Sequence, residues 1–228
     1  MPESGSNVEL AHDLSVLEHR EAAGARRHAW LGFTEAIVLA IVAVATAWSG
    51  YQASRWEGTS TTHYALYERY TVLSQEKSTL AGQDRLYDIV TFNGWVSAKV
   101  GGHEPLATFF VRRFRPEYAV AFRAWLSFDP LHSAKAPAGP IFMPQYKNAN
   151  ADAADRYEAA AARYFQTGGT TRERSDDYVR VTVFLATVLF LTALSQRFDS
   201  IGARVIIVTI AAIILAVSMS WLVALPRT

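Results

Sequence analysis

Residues 30–49 read WLGFTEAIVLAIVAVATAWS. The stretch carries one charge, Glu35, and at roughly 20 residues it is long enough to cross about 30 Å of hydrocarbon as a helix. Two further apolar stretches, 179–194 and 205–225, close the chain. Between the first and the second lie polar residues with no run of alternating apolar and polar side chains that would make a strand. The fold expected from this pattern is all-α: three transmembrane helices, with a helical extramembrane domain inserted between the first and second. The expected divisions are an N-terminal arm at 1–29, the first span and its outward extension at 30–57, the inserted domain at 58–177 and a transmembrane hairpin at 178–228.

Within the first span, Gly32, Ala36, Ala40, Ala43, Ala47, Gly50 and Ser54 recur at intervals of three and four and so share one helix face. Lipid is as apolar as leucine, so helices in a bilayer gain by close backbone approach, which small residues allow. This seam reads as a helix-packing face, its partner either another helix of the chain or a second copy. Ile37, Val38, Ile41, Val42 and Val44 lie opposite and suit lipid. Thr209, Ala212, Ala216 and Ser220 form a second small-residue seam on the third span.

Glu35 is the one acidic residue inside an apolar block. A carboxylate there costs a few kcal/mol on insertion scales, which makes it a functional candidate by default. It also lies about one turn from the boundary, where pairing with an arginine would account for it. Two basic residues fall at the same depth, Arg197 and Arg204, at the connection between the second and third spans. The expectation is that Glu35 pairs with one of them.

The chain has 228 residues, a net charge of +1 and half its residues apolar. A near-neutral balance gives no case for nucleic acid, which asks for a basic face. There is no cysteine, so disulfides and thiolate metal sites are excluded. In the N-terminal arm, Ser6 and Glu9 stand as a capping box, and Leu10, Leu14 and Leu17 follow at helical spacing. The arm is read as a short amphipathic helix, either interfacial or a frayed extension of the first span. Ala45-Thr46-Ala47 fits a small-x-small cleavage rule, but the acidic leader and the long apolar block argue against a signal peptide.

Aromatic residues mark the ends of the apolar blocks: Trp30, Trp48, Tyr51, Trp56, Tyr178 and Trp221. Such side chains collect at membrane–water boundaries, where one edge is greasy and the other wet. The string Ala47-Trp48-Ser49-Gly50-Tyr51-Gln52-Ala53 with Trp56 resembles a signature of small uncharacterised bacterial membrane proteins. Phe114-Arg115-Pro116-Glu117, Ala124-Trp125-Leu126 and Asp177-Tyr178-Val179 resemble the same family. The resemblance implies a three-span protein of the bacterial cytoplasmic membrane, with a domain of unknown function and no assigned activity.

The segment 58–177 reads as helical throughout. Thr59 to Thr62 offer N-caps, Gly82 and Gly94 weaken the helix that follows, and Gly101-Gly102 ends it. Short helices are expected from Pro105 and from Pro116, where proline suits a first turn, and Asp129-Pro130 stops the second. Residues 131–148 form a loop folded over the helices by Ile141, Phe142, Met143 and Tyr146. An alanine-rich helix runs from Asn150 to Phe165 and breaks at Gly168-Gly169.

No catalytic, cofactor-binding or metal-ligating motif stands out. His63, His103 and His132 lie far apart in no metal spacing. Asp84 and Asp88 share a helix face and read as a solvated pair. Arg112, Arg113 and Arg115 form the densest basic cluster. They face either anionic head groups or solvent near the negative end of a helix.

Positive residues in short flanks tend to stay in the cytoplasm. Arg20, Arg26 and Arg27 precede the first span, and Arg197 and Arg204 fall on the same side; Arg227 in the short tail and Arg55, Arg172, Arg174 and Arg180 at the edges of the long loop fall on the other, so the bias is thin. The expectation is a multi-pass inner-membrane protein with the N-terminus inside and 58–177 outside. The function classes that remain are three. One is a non-enzymatic scaffold or partner-binding subunit that self-associates or binds another membrane protein, with the lipid bilayer as its other partner. A second is an ion channel or transporter subunit. The third is a membrane-anchored enzyme gathering His63, His103, Asp84 and Glu104 in a cleft.

Overall fold

The computed structural model describes the backbone of residues 4–198 and 200–227, and the side chains among these from Trp30 onward except Leu31. The capping box, the leucines of the arm and Arg20, Arg26 and Arg27 therefore lie outside the described side chains.

Every element among the described residues is helical: α1 (Ser4–Val100), α2 (Glu104–Val111), α3 (Pro116–Leu126), a 3-10 turn at Pro140–Phe142, α4 (Ala149–Ser195) and α5 (Ile201–Ala224). Three of these are long and apolar enough to cross a membrane, with windows of mean hydropathy 1.7 in α1, 1.8 in α4 and 2.6 in α5. At most 33% of the residues in any of those windows are buried within the chain. Apolar surface left open over such lengths calls for lipid, because soluble monomers rarely expose it. By length and composition these three helices suggest a multi-pass membrane protein. It divides into two compact units, residues 1–60 with 169–228, and residues 61–168.

Two expected breaks do not occur. α1 continues through Gly58 and the hydroxyl run after it, where Thr59 Oγ1 donates back to the Arg55 carbonyl at 3.1 Å rather than capping a new helix. α4 continues through Gly168-Gly169. Gly168 is buried, and a Cβ there would sit 3.3 Å from the Tyr64 ring, so its missing side chain serves close approach. A glycine costs a helix only about 1 kcal/mol, which packing along such helices outweighs. Gly101-Gly102 does end α1. Gly102 has φ +72°, its N–H bonds the Lys99 carbonyl (3.2 Å) and the His103 N–H bonds that of Ala98 (2.8 Å). That pair of bonds is the Schellman arrangement.

In the first unit, α1 buries Glu35, Val42, Ala45, Ser49, Gln52 and Trp56. α4 buries Thr171, Ser175, Tyr178, Val181, Leu185, Val188, Thr192 and Ser195. Both series step by three, four or their sum of seven, the seam that packs helices side by side at a shallow angle. α5 adds Ala211, Ser218 and Leu222. Val42, expected to face lipid, is instead fully buried, because it lies one helical repeat of seven from Glu35 and Ser49 on the stripe that packs.

The second unit is built on the end of α1. Trp95, Phe114, Tyr118, Phe122, Trp125 and Met143 form its core. The rings meet mostly edge to face, Trp95–Phe122 at 4.9 Å and Phe114–Phe122 at 4.7 Å between centroids, the geometry aromatic quadrupoles prefer. Loop residues Ile141, Met143 and Tyr146 cover this core, while Phe142 stays exposed. Trp125 Nε1 donates to the Pro137 carbonyl at 2.7 Å and pins the loop down. Asn148 caps α4, its Oδ1 accepting from the N–H groups of Asn150 (3.0 Å) and Ala151 (3.1 Å).

Candidate functional site

The structure brings Glu35 and Arg204 together. Arg204 Nε donates to Oε1 at 2.7 Å and Nη2 to Oε2 at 2.5 Å, a two-pronged ion pair. Glu35 is 1% exposed. Ser195 Oγ lies 3.1 Å from Oε1 and 2.7 Å from the Thr192 carbonyl, so its single proton serves one of them at a time. Three helices thus meet at one carboxylate: α1 supplies it, the last turn of α4 the hydroxyl and the first turn of α5 the guanidinium. Arg197 stands exposed in the connection.

The small-residue seam is elsewhere. Gly32, Ala36, Ala40, Ala43, Ala47 and Gly50 are all exposed. The stripe that packs within the chain is displaced from the seam by about one residue, roughly 100° around the helix. A Cβ at Gly32 or Gly50 would meet nothing within 4 Å. Thr209, Ala212, Ala216 and Ser220 on α5 are exposed as well.

Of the boundary aromatics, Trp30, Trp48 and Tyr51 are exposed, and Trp221 is half-buried against Phe184. Trp56 and Tyr178 are buried instead, because both have work inside the bundle. Trp56 Nε1 (3.3 Å) and the Tyr178 hydroxyl (3.2 Å) donate to the same acceptor, the Pro226 carbonyl just past α5. Ser49 Oγ donates to the Tyr178 carbonyl (2.8 Å) and Ser175 Oγ to that of Ala53 (2.9 Å), stitching α1 to α4 on either side.

A second polar centre lies in the other unit, and the sequence reading missed it. Asp88 is fully buried, not solvated. Arg115 donates to it from Nε (3.0 Å) and Nη2 (2.7 Å), and its Nη1 reaches Asp84 at 3.3 Å. The Tyr146 hydroxyl donates to Asp88 at 3.1 Å and Asn150 to Asp84 at 2.9 Å. Arg115 is thereby removed from the basic cluster and faces neither head groups nor open solvent. Its bonds to Asp88 raise the guanidinium pKa further above its ordinary value. Arg113 lies over the Phe109 ring at 4.2 Å. Proline at 116 holds the Arg115 backbone extended (ψ 147°) at the N-cap of α3. The i, i+4 spacing of Asp84 and Asp88 was the available signal, but spacing alone does not separate a buried pair from a wet one.

The side chains named for the enzyme reading each have their own setting. His63 stacks on Tyr164 (6.0 Å), Asp84 belongs to Arg115, Glu104 pairs with Lys99 at 2.7 Å, and His103 is exposed ahead of α2. Among the described residues no group of three histidine, aspartate or glutamate side chains could hold a metal.

Compared with known proteins, the chain matches no family model, no curated protein and no solved structure.

Proposed function

We propose that the protein is a non-enzymatic membrane scaffold subunit that self-associates through the small-residue seam of its first span. The supporting observation is that intramolecular packing uses the Glu35–Val42–Ser49 stripe and leaves Gly32 through Gly50 open along the whole span. In lipid, a glycine and alanine face lets a second helix approach closely, and van der Waals contact follows. Glu35 is already engaged by Arg204 and Ser195, which weighs against its serving a transported ion.

In this proposal residues 58–177 form a head inserted between the first and second spans. The chain sits in a bacterial cytoplasmic membrane, as the resemblance of residues 47–53 implies. The first span usually dominates orientation, and its N-terminal flank holds Arg20, Arg26 and Arg27 against Arg55 beyond it. That puts the N-terminus inside and the head outside. A reporter fused at Ala136 checks this: activity only in the cytoplasm reverses the orientation.

Self-association is tested by native mass measurement of the detergent-extracted chain. Wild type is expected above monomer mass, and Ala36→Leu with Ala40→Leu and Ala43→Leu is expected as monomer. A strictly monomeric wild type sinks the proposal.

A further inference from the structure

At the end of the membrane unit opposite Glu35, three helix segments converge on the Pro226 carbonyl, held by Trp56 and Tyr178. Several arginines surround that point, and their settings differ. Arg172 pairs with Glu57 at 3.1 Å and Arg180 with Asp177 at 2.7 Å. Arg174 has no carboxylate among the described residues; its guanidinium lies 4.7 Å over the Trp56 ring. Arg227 directly follows the shared acceptor, is exposed, and likewise pairs with no carboxylate among the described residues.

We propose that Arg174, stacked on Trp56, and Arg227, which follows the carbonyl that Trp56 Nε1 reaches, form a binding site for the phosphate of an anionic phospholipid. Three observations lead there. Trp56, Arg174 and Arg227 lie just beyond the apolar runs 30–49, 179–194 and 205–225, which the span reading puts at head-group depth. Its scaffold is rigid, since two buried side chains share one acceptor and two serine bonds lock α1 to α4 beneath it. Its two cations are of the kind that matches phosphate with several donors at once. Stacking on Trp56 holds Arg174 in place without neutralising it. Glu173 and Asp176 are exposed on the same helix. They set a limit on the local positive field, so the site depends on direct contact rather than on long-range attraction.

The proposal rests on reading 30–49, 179–194 and 205–225 as spans, and the experiment separates the two. Full-length protein is first mixed with phosphatidylcholine vesicles and floated; failure to float sinks the membrane reading itself. It is then exchanged into mixed phosphatidylglycerol and phosphatidylcholine, and retained lipids are counted by native mass spectrometry. Wild type should retain phosphatidylglycerol preferentially, with a loss of roughly fivefold for each arginine removed. Arg174→Gln and Arg227→Gln should show that loss, and Arg180→Gln should not. Arg227→Gln alters an exposed residue beyond α5, so its result stands even if Arg174→Gln misfolds. Equal retention of both lipids by wild type, or unchanged retention in Arg227→Gln and Arg174→Gln, overturns the site. Displacement of the lipid by millimolar inorganic phosphate would show that free phosphate is the ligand and overturn the lipid assignment.

Discussion

Arg115 grips Asp88 through two parallel hydrogen bonds, at 3.0 and 2.7 Å, where the aspartate side chain has no contact with solvent. A buried pair of this kind contributes little relative to a well-packed apolar pair. Breaking it by removing one partner is different, because the other charge is then stranded. Arg115→Met should destabilise the 61–168 unit by about 3–5 kcal/mol. Asp88→Asn added to Arg115→Met should recover much of that loss. The near-UV signal of Trp95 and Trp125 during denaturant unfolding of the solubilised chain reads both. If the single and double variants unfold alike, the pair does not hold this unit.

Tyr118 lies beside that pair, fully buried, and its hydroxyl has no partner among the described residues. An unsatisfied buried hydroxyl costs about 1–3 kcal/mol, so Tyr118→Phe should stabilise the unit at neutral pH. Tyr146→Phe should do the reverse by about 1 kcal/mol, since its hydroxyl donates to Asp88.

The same two tyrosines set an alkaline limit. Burial first, and then the charge of Asp88, push both phenols above their ordinary range. A group whose folded pKa is raised stabilises fully below its unfolded pKa, near 10 for tyrosine, and that stabilisation is lost as pH rises through the folded value. Unfolding midpoints should therefore fall from about pH 10 upward, and less steeply in Tyr118→Phe. A flat alkaline profile in wild type would contradict the burial of these phenols.

How much of this was legible follows from what each signal measures. Apolar length alone marks the three candidate membrane helices, because the cost of exposing polar backbone to lipid leaves few alternatives. The partner of Glu35 could be narrowed only to two arginines in one connection, since depth is readable from sequence and side-chain direction is not. The continuity of α1 and α4 was hidden because glycine signals a helix stop by local cost, while Gly168 sits against Tyr64 for a tertiary reason. Asp88 was hidden because its burial depends on Arg115, Tyr118 and Tyr146, 27 to 58 residues away. Trp56 and Tyr178 read as boundary aromatics by composition, and their common acceptor at Pro226 is visible only in three dimensions.

Gly82 and Gly94 share a helix and should behave oppositely. A Cβ at Gly82 would meet nothing within 4 Å, whereas one at Gly94 would run into the Phe110 ring of α2. Gly82→Ala should therefore gain up to about 1 kcal/mol from helix propensity. Gly94→Ala gains the same term but must displace a ring packed against the core, at about 1–3 kcal/mol, and should be net destabilising. Thermal midpoints of the two variants, measured side by side, check the contrast; a rise in both would mean that α2 does not press on α1 at this point.

Glu35 tests the membrane unit in the same terms. Its carboxylate is held by Arg204 from one side and approached by Ser195 from another, so α1, α4 and α5 share one charge pair. Arg204→Leu leaves the carboxylate buried without its counter-charge and should cost about 3 kcal/mol or more. Leucine at both positions removes the charge and the need for it together, and should restore thermal stability toward wild type. Ser195→Ala should matter far less, because Ser195 can spend its proton on Thr192 and the guanidinium still covers both oxygens. Heat-induced aggregation of the protein in nanodiscs orders the variants. If Ser195→Ala is as damaging as Arg204→Leu, the hydroxyl rather than the ion pair organises the junction, and the assignment of Arg204 as the organising partner falls.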